Sequence, residues 1–229
     1  MNIAGLVKSS LVDFPGHIAA AVFTPGCNYD CFYCHNRPLL SGDAPLLSVE
    51  EVMSFLRRRA GLLEAVVVTG GEPTLQPGLA EFIRAARALS YRIKLDTNGS
   101  RPEVVDALLR EGLIDFVALD YKAPFERYPE LCGAAADPGP VRRMMALLRE
   151  RGVAYELRTT FVPQLTVDDI ATMTAEAAPI PRYALQTYRP PEVFRPEDRF
   201  RVLAAPHPPS ELKAAAAAAA PHAGTVVVR

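Results

Sequence analysis

Short apolar runs alternate with amphipathic stretches along most of this chain. The runs His17–Phe23, Ala65–Thr69, Arg92–Thr97, Asp115–Tyr121, Ala154–Val162 and Tyr183–Tyr188 are rich in Val, Ile, Leu and aromatic residues and read as strands. Most are apolar nearly throughout, the pattern of parallel strands covered on both faces. Helical patterns lie between them. Ser48 and Glu51 have capping-box spacing ahead of Val52–Arg59, and Ser100 and Glu103 repeat it ahead of Val104–Arg110. Thr166 with Asp169 opens a further helix, with Asp in place of the usual Glu. Gly112 and Gly152 follow helix candidates, where a left-handed residue closes the last turn.

Successive β-then-α units in about 170 residues predict a parallel α/β fold. A complete eight-stranded barrel takes ~250 residues, so the pattern predicts a partial barrel of six units, a (β/α)6 arrangement. An open doubly wound sheet is the alternative. Ile3–Phe14 and Thr225–Val228 are extra N- and C-terminal β segments. The proline-rich stretch Pro190–Pro209 predicts an irregular surface connection. The alanine run Ala214–Ala220 predicts a helix on propensity alone. The chain reads as a single domain over residues 1–229, with a core at about 17–190 and a less regular segment at 191–229.

Composition narrows the class. Hydrophobic residues make up 49% and charged residues 22%, ordinary globular values that exclude a disordered chain. At this mass about 70% of the unfolded surface can be buried, enough for one substantial core. No apolar run reaches the ~18 residues of a membrane span. The opening MNIAGLVKSSLVDFPG has no secretory apolar region. A cytoplasmic protein with no membrane partner is expected. Lys plus Arg is 25 against 26 for Asp plus Glu, so no basic footprint for a nucleic-acid partner is present. The 4 cysteines are too few for a disulfide scaffold.

Three of those cysteines fall together in Cys27-Asn-Tyr-Asp-Cys31-Phe-Tyr-Cys34-His35. The cluster follows the first strand through the turn Thr24-Pro25-Gly26, which in a parallel barrel places it at the C-terminal rim, where active sites gather. Three close thiolates can hold three irons of a 4Fe–4S cluster and leave the fourth iron open to a substrate. Other readings compete. Cys31-Phe-Tyr-Cys34-His35 matches the c-type haem attachment pattern. Cys27, Cys31, Cys34 and His35 could form a structural zinc site. A cluster of buried thiols without metal is the third.

The following strands also end in polar residues. Gly70-Gly71-Glu72-Pro73 closes the second, and its glycines let the backbone approach a ligand. Asp96-Thr97-Asn98-Gly99 closes the third and Asp120-Tyr121-Lys122 the fourth. Arg158 lies on the fifth strand and Gln186 on the sixth. In a barrel such residues converge on one mouth.

The cysteine spacing with Tyr33 before its last Cys, followed by GGEP and DTNG, resembles the radical S-adenosylmethionine (SAM) superfamily. The stretch Val7–Gly16, followed by Phe23–Cys27 and Tyr33–Asn36, resembles the activating proteins of anaerobic (class III) ribonucleoside-triphosphate reductase, and is similar to pyruvate formate-lyase activating enzymes. The resemblance covers about residues 5–160. It implies a partial (β/α)6 barrel, one 4Fe–4S cluster on Cys27, Cys31 and Cys34, and SAM chelating the open iron. It implies that Tyr33 lies against the adenine, with His35 beside the site, and that Gly70, Gly71 and Glu72 bind the methionine end. Asp96, Thr97 and Asn98 would contact the amino group, the ribose or a monovalent cation near Asp96 and Asp120. Asp120 and Lys122 match the family's Asp-x-Lys rim; Arg158 would pair with a carboxylate and Gln186 would sit on the adenine side.

The implied activity is reductive cleavage of SAM and abstraction of a glycine α-hydrogen on a partner glycyl radical enzyme. The expected partners are class III ribonucleotide reductase and a flavodoxin or ferredoxin electron donor. Other functions stay open: activation of a pyruvate formate-lyase-type enzyme, radical chemistry on a small molecule or nucleotide, or an iron–sulfur or zinc binding module without catalysis. Outside these motifs, Cys132 reads as an inert loop thiol. His207 and His222 read as surface residues, Arg57–Arg59, Arg142 and Arg143 as solvated helix positions, and Met144 and Met145 as core.

Overall fold

The computed structural model describes residues 1–40 and 45–229. Its strands are β1 (Gly5–Phe14), β2 (His17–Thr24), β3 (Ala65–Gly70), β4 (Arg92–Thr97), β5 (Phe116–Asp120), β6 (Ala154–Phe161), β7 (Tyr183–Thr187) and β8 (Val226–Val228). They form one sheet in chain order, with β1 antiparallel to β2 and every later neighbour parallel. The helices are α1 (Val49–Arg59), α2 (Leu79–Ala88), α3 (Pro102–Arg110), α4 (Tyr128–Cys132), α5 (Gly139–Arg151), α6 (Val167–Ala177), α7 (Arg199–Val202) and α8 (Pro209–Ala219). This is the partial barrel expected from the sequence rather than the doubly wound alternative. The sheet runs from edge β1 to edge β8 without a pairing that closes it among the described residues. No helix of the described residues is long and apolar enough to cross a membrane.

Helix starts follow local chemistry, with one correction. Ser48 caps α1 through a complete capping box with Glu51, and Thr166 caps α6 the same way with Asp169. Ser100 does not cap α3. The cap is Arg101, whose side chain makes no capping bond, and Pro102 opens the helix. Proline pre-sets the first helical turn and pushes the residue before it out of the helical region, so the helix cannot begin earlier. Ser100 instead donates its hydroxyl to Asn28 Oδ1 at 3.2 Å. Replacing Ser48 by Ala is therefore expected to cost about 1 kcal/mol. Ser100→Ala removes no helix cap and should stay within about 0.5 kcal/mol. Urea denaturation of the two variants measures both, and equal losses would contradict the assignment.

The C-terminal third is more ordered than its composition suggests. Segment 190–209 contains a 3₁₀ turn at Pro196–Asp198 and the short α7. It is a strap rather than a free connection, because Arg195 pairs with Asp30 and the Arg201 guanidinium lies 4.0 Å from the centre of the Phe32 ring. His207 is not a free surface residue. Its ring stacks on Phe161 with centroids 3.8 Å apart, and its Nε2 lies 3.0 Å from the Val162 carbonyl oxygen. His222 is half-buried rather than exposed. The alanine run forms α8, with Ala215 and Ala219 buried and α6 alongside. Arg57–Arg59 are exposed, and Met144 and Met145 are buried. Arg142, also exposed, lies with its guanidinium 3.8 Å from the centre of the Phe125 ring.

The two faces of the sheet differ in character. The outer face carries the continuous apolar core under the helices, including Val66, Val68, Ile93, Leu95, Val117, Leu119, Leu157 and Leu185. The inner face of β2 and β3 is small and apolar, with Ala19, Ala21, Ala65 and Val67 clustered beneath Phe14. From β4 onward the inner face turns polar. Lys94 and Asp96, then Asp120, then Glu156 and Arg158, alternate with outward apolar residues. Asp96 is the register partner of Ala118 and Ala118 of Glu156; Asp120 is the partner of Arg158 and Arg158 of Ala184. The alanines on the same face leave room for these long polar side chains.

Candidate active site

The cysteine loop leaves the C-terminal end of β2 and is pinned at backbone level to the turn after β3. Gly71 N donates to Thr24 O and Glu72 N to Gly26 O, each at 2.8 Å. Asn36 Nδ2 donates to Gly70 O at 2.7 Å and Gln76 Nε2 to Pro25 O at 2.6 Å. The approach is close enough that a Cβ on Gly71 would overlap the Gly26 carbonyl oxygen, and one on Gly70 would overlap the Thr24 backbone. Inside the loop, Arg37 donates to Asp30 Oδ1 at 2.7 Å and to Cys31 O at 3.0 Å, and Cys34 N donates to Cys31 O at 3.1 Å. None of these bonds uses a thiol, although Cys27 Sγ also accepts from Tyr29 N at 3.4 Å.

Cys27, Cys31 and Cys34 face a cavity of about 290 Å³ at the barrel mouth. Tyr33 and His35 share the loop's side of it, Tyr33 buried and His35 exposed at the rim. Gly70 and Gly71 line it from β3, Asp96 and Asn98 from β4, Asp120 and Lys122 from β5, Arg158 from β6 and Gln186 from β7. The residues singled out in the sequence thus meet at one mouth, with two exceptions.

Glu72 and Thr97 lie beneath the wall. Glu72 is fully buried and both of its carboxylate oxygens are engaged by neighbouring donors. Its Oε1 accepts from Thr74 N at 3.1 Å, Thr74 Oγ1 at 2.5 Å and Thr97 Oγ1 at 2.8 Å, and its Oε2 accepts from Asn98 N at 2.7 Å. Burial raises the Glu72 pKa, and these donors pull it back without cancelling the rise. The glutamate ties the β3 turn to the end of β4, and Asn98 carries that tie to the loop through Asn28 Oδ1 at 3.0 Å and Cys27 Sγ at 3.6 Å.

The thiols suit a multi-iron group. Burial pushes Cys27 up to about 12, and it also raises Cys34. Cys31 is raised first by a hydrogen bond with Cys132 and then by burial. Iron binding must therefore displace protons, as thiolate ligation generally does. Among the described residues, no three His, Cys, Asp or Glu side chains converge as a single metal ion requires. Three soft donors spread along a cavity wall fit a cluster better than one tetrahedral zinc. Cys132 is not a loop thiol. It ends α4, is fully buried and abuts Cys31.

Sequence reading missed Lys94 and Thr160. Lys94 is only 1% exposed and pairs with Asp96; Thr160 lines the cavity beside Gln186, its Oγ1 3.5 Å from Gln186 Oε1. The signal was the two-residue spacing of Lys94 with Asp96 and of Glu156 with Arg158, which puts each pair on one face of a strand.

The carboxylates of the mouth are held ionised. For Asp120, burial alone would raise the pKa, but the Arg158 and Lys122 charges outweigh it and bring the value to about 2. Asp96 is lowered in the same way, burial being overcome by Arg158 and Lys94. A carboxylate with a depressed folded-state pKa adds stability above its unfolded value that is lost as pH falls through the folded one. For Asp120 that loss falls between the ordinary 3.8 and about 2. Thermal melts from pH 5 to 2 should therefore show wild type above Arg158→Gln, with the gap closing across this window. A gap independent of pH would contradict the pairing.

The radical SAM superfamily profile matches residues 21–177. A Methanocaldococcus jannaschii protein named as a candidate glycyl-radical enzyme activating enzyme is 32% identical over 236 residues, covering 99% of this chain and 95% of that protein. A Pyrococcus horikoshii protein named as a candidate GTP 3′,8-cyclase is 35% identical over 95 residues, covering 41% of this chain and 30% of its own. The structure of Streptococcus suis SuiB bound to S-adenosylmethionine superposes with a TM-score of 0.71 at 14% identity. That overlap covers 91% of this chain and 51% of SuiB, and at this identity it speaks to the fold alone. The profile takes in β3 through β6 and the whole cysteine loop, and the chain belongs to the radical SAM superfamily.

Proposed function

We propose that this chain is a glycyl-radical activating enzyme, with anaerobic ribonucleoside-triphosphate reductase as its partner. The observation that carries the reading is the identity to the M. jannaschii relative, which runs through almost the full length of both chains. The cyclase match covers a minority of each chain and favours no small-molecule substrate. Activation of a pyruvate formate-lyase-type enzyme is the runner-up.

Family membership implies a 4Fe–4S cluster and SAM. When bound, these supply one-electron cleavage of SAM and a 5′-deoxyadenosyl radical able to take a hydrogen atom. The chain's residues do the binding and orienting. Cys27, Cys31 and Cys34 hold the cluster. The Gly70–Gly71 backbone, held against the cysteine loop without intervening side chains, receives the methionine end. Asn98, held through its backbone N–H by Glu72 and with its amide on Cys27 Sγ, would offer a side-chain contact to the bound SAM. Tyr33, whose ring stands edge-on to Phe32 at 5.0 Å, would supply the adenine with apolar contact, and Gln186 lines the same cavity. Lys122 stays protonated, because burial, which lowers its pKa, is outweighed by Asp120 together with Cys31, Tyr33 and Cys132, and it places positive charge beside the thiolates.

A glycine in a side-chain-free loop of the partner can enter such a mouth, and its α-radical is delocalised over the flanking amides. A flavodoxin or ferredoxin would supply the electron, since this chemistry uses the low end of cluster potentials. Partner protein carrying α-deuterated glycine tests the assignment. Deuterium is expected in the 5′-deoxyadenosine formed with the ribonucleotide reductase. Unlabelled product under turnover would rule out hydrogen transfer from glycine.

A further inference from the structure

One guanidinium joins three strand ends at the mouth. Arg158 Nη1 donates to Asp96 Oδ2 at 2.9 Å, and its Nε and Nη2 reach Asp120 Oδ1 at 2.9 and 2.8 Å. Each carboxylate has a second cation on its other oxygen. Lys94 Nζ holds Asp96 Oδ1, and Lys122 Nζ holds Asp120 Oδ2 at 3.1 Å. All four carboxylate oxygens are therefore engaged. Three cations face two anions before any ligand enters. The Lys94, Asp96, Arg158 and Lys122 side chains are 1, 11, 14 and 16% exposed and Asp120 is 27% exposed, so solvent reaches the group mainly at Asp120.

The resemblance implies a monovalent cation near Asp96 and Asp120, and this arrangement does not fit one. An inorganic cation would have to share carboxylate oxygens that each already accept from an ammonium or guanidinium group. It would also be repelled by three fixed positive charges. Arginine stays charged at any working pH, and its planar fork spans two carboxylates where a lysine offers a single point.

We propose that Arg158 is a built-in substitute for that cation: its guanidinium neutralises and spaces Asp96 and Asp120, and the mouth binds SAM without a sodium or potassium ion. Arg158 is in this sense a positioning residue, setting β4, β5 and β6 relative to one another while leaving net positive charge for the SAM carboxylate. The inference rests on SAM being the ligand, not on which partner protein is served. A failure to generate a glycyl radical would leave it untouched.

Two measurements test it. The first is SAM binding to the cluster-loaded enzyme by calorimetry in sodium, potassium and tetramethylammonium chloride at equal ionic strength. Wild-type affinity should agree within about twofold across the three salts, well under the tenfold that corresponds to 1.4 kcal/mol. Arg158→Gln should lose about tenfold in tetramethylammonium and recover part of that loss in sodium or potassium. A tenfold wild-type preference for sodium or potassium would overturn the proposal. So would an Arg158→Gln loss that no small cation relieves, the signature of a merely structural role. The second is thermal melting of the metal-free chain in the same salts, which needs neither cluster nor turnover. The wild-type Tm should not depend on which cation is present, and specific stabilisation by sodium or potassium would refute the substitution even if Arg158→Gln does not fold.

Discussion

Alanine at Cys31 is expected to leave a folded chain that assembles no stable iron–sulfur cluster and cleaves SAM at background level. The loop around Cys31 is held by Arg37 on Asp30 and on the Cys31 carbonyl oxygen, by Asp30 N on Cys132 O, and by Arg195 on Asp30. None of these bonds uses the thiol. Removing one buried sulfur costs stability of about 1 kcal/mol, the centre of the range for single substitutions. The chemical loss is far larger, because two remaining thiolates cannot hold a cluster that needs three protein ligands. Cys132→Ala is the matched control. It removes a buried thiol touching Cys31 but none of the three that face the cavity. Iron and sulfide content, the cluster EPR signal and 5′-deoxyadenosine yield should be lost in the first variant and retained in the second. Equal loss in both would make Cys132 a ligand and overturn the assignment of three.

Gly71→Ala should produce the second largest effect. The new methyl group meets the Gly26 carbonyl oxygen, and Gly26 is the residue immediately before Cys27. Neither backbone can yield independently, since Gly71 N is bonded to Thr24 O and Glu72 N to Gly26 O. Relief requires the cysteine loop and the β3 turn to separate, which costs about 1–3 kcal/mol as overpacking. The same movement withdraws the Gly70–Gly71 backbone from the cavity. SAM affinity should fall at least about tenfold, equivalent to 1.4 kcal/mol. Urea denaturation and calorimetry measure the two losses; unchanged SAM affinity would remove these glycines from the binding surface.

The fold was legible because the hydrophobic period gave both element type and order. Each apolar run found its place as β2 to β7, and chain order became sheet order because consecutive parallel strands joined by crossovers admit few alternatives. What local pattern could not supply was tertiary anchoring. Nothing around Arg195 or Arg201 says that Asp30 and Phe32 lie across from them, so segment 190–209 read as irregular. His207 read as exposed because the ring it stacks on and the carbonyl it contacts, Phe161 and Val162, lie at the distant end of β6. Ser100 misled for a local reason, with Pro102 overriding a capping-box spacing.

The site was legible as a set of strand ends, less so as individual contacts. Motif spacing brought the cysteine loop, Asp96, Asp120 and Arg158 to one mouth. It did not separate residues that face the cavity from those that hold it up. Glu72 reads as a ligand contact in sequence, yet its acceptors are spent on Thr74, Thr97 and Asn98. Lys94 was hidden inside a strand taken as apolar, although its spacing from Asp96 marks the inner face.

The most direct test of the proposed activity is an anaerobic EPR experiment. The chain is reconstituted with iron and sulfide and mixed with SAM, a low-potential reductant and a class III ribonucleotide reductase. A glycyl doublet on the reductase, absent without SAM and absent with Cys31→Ala, is the predicted result. 5′-Deoxyadenosine released without any protein radical would contradict the activating role and turn the search to other substrates of the same mouth.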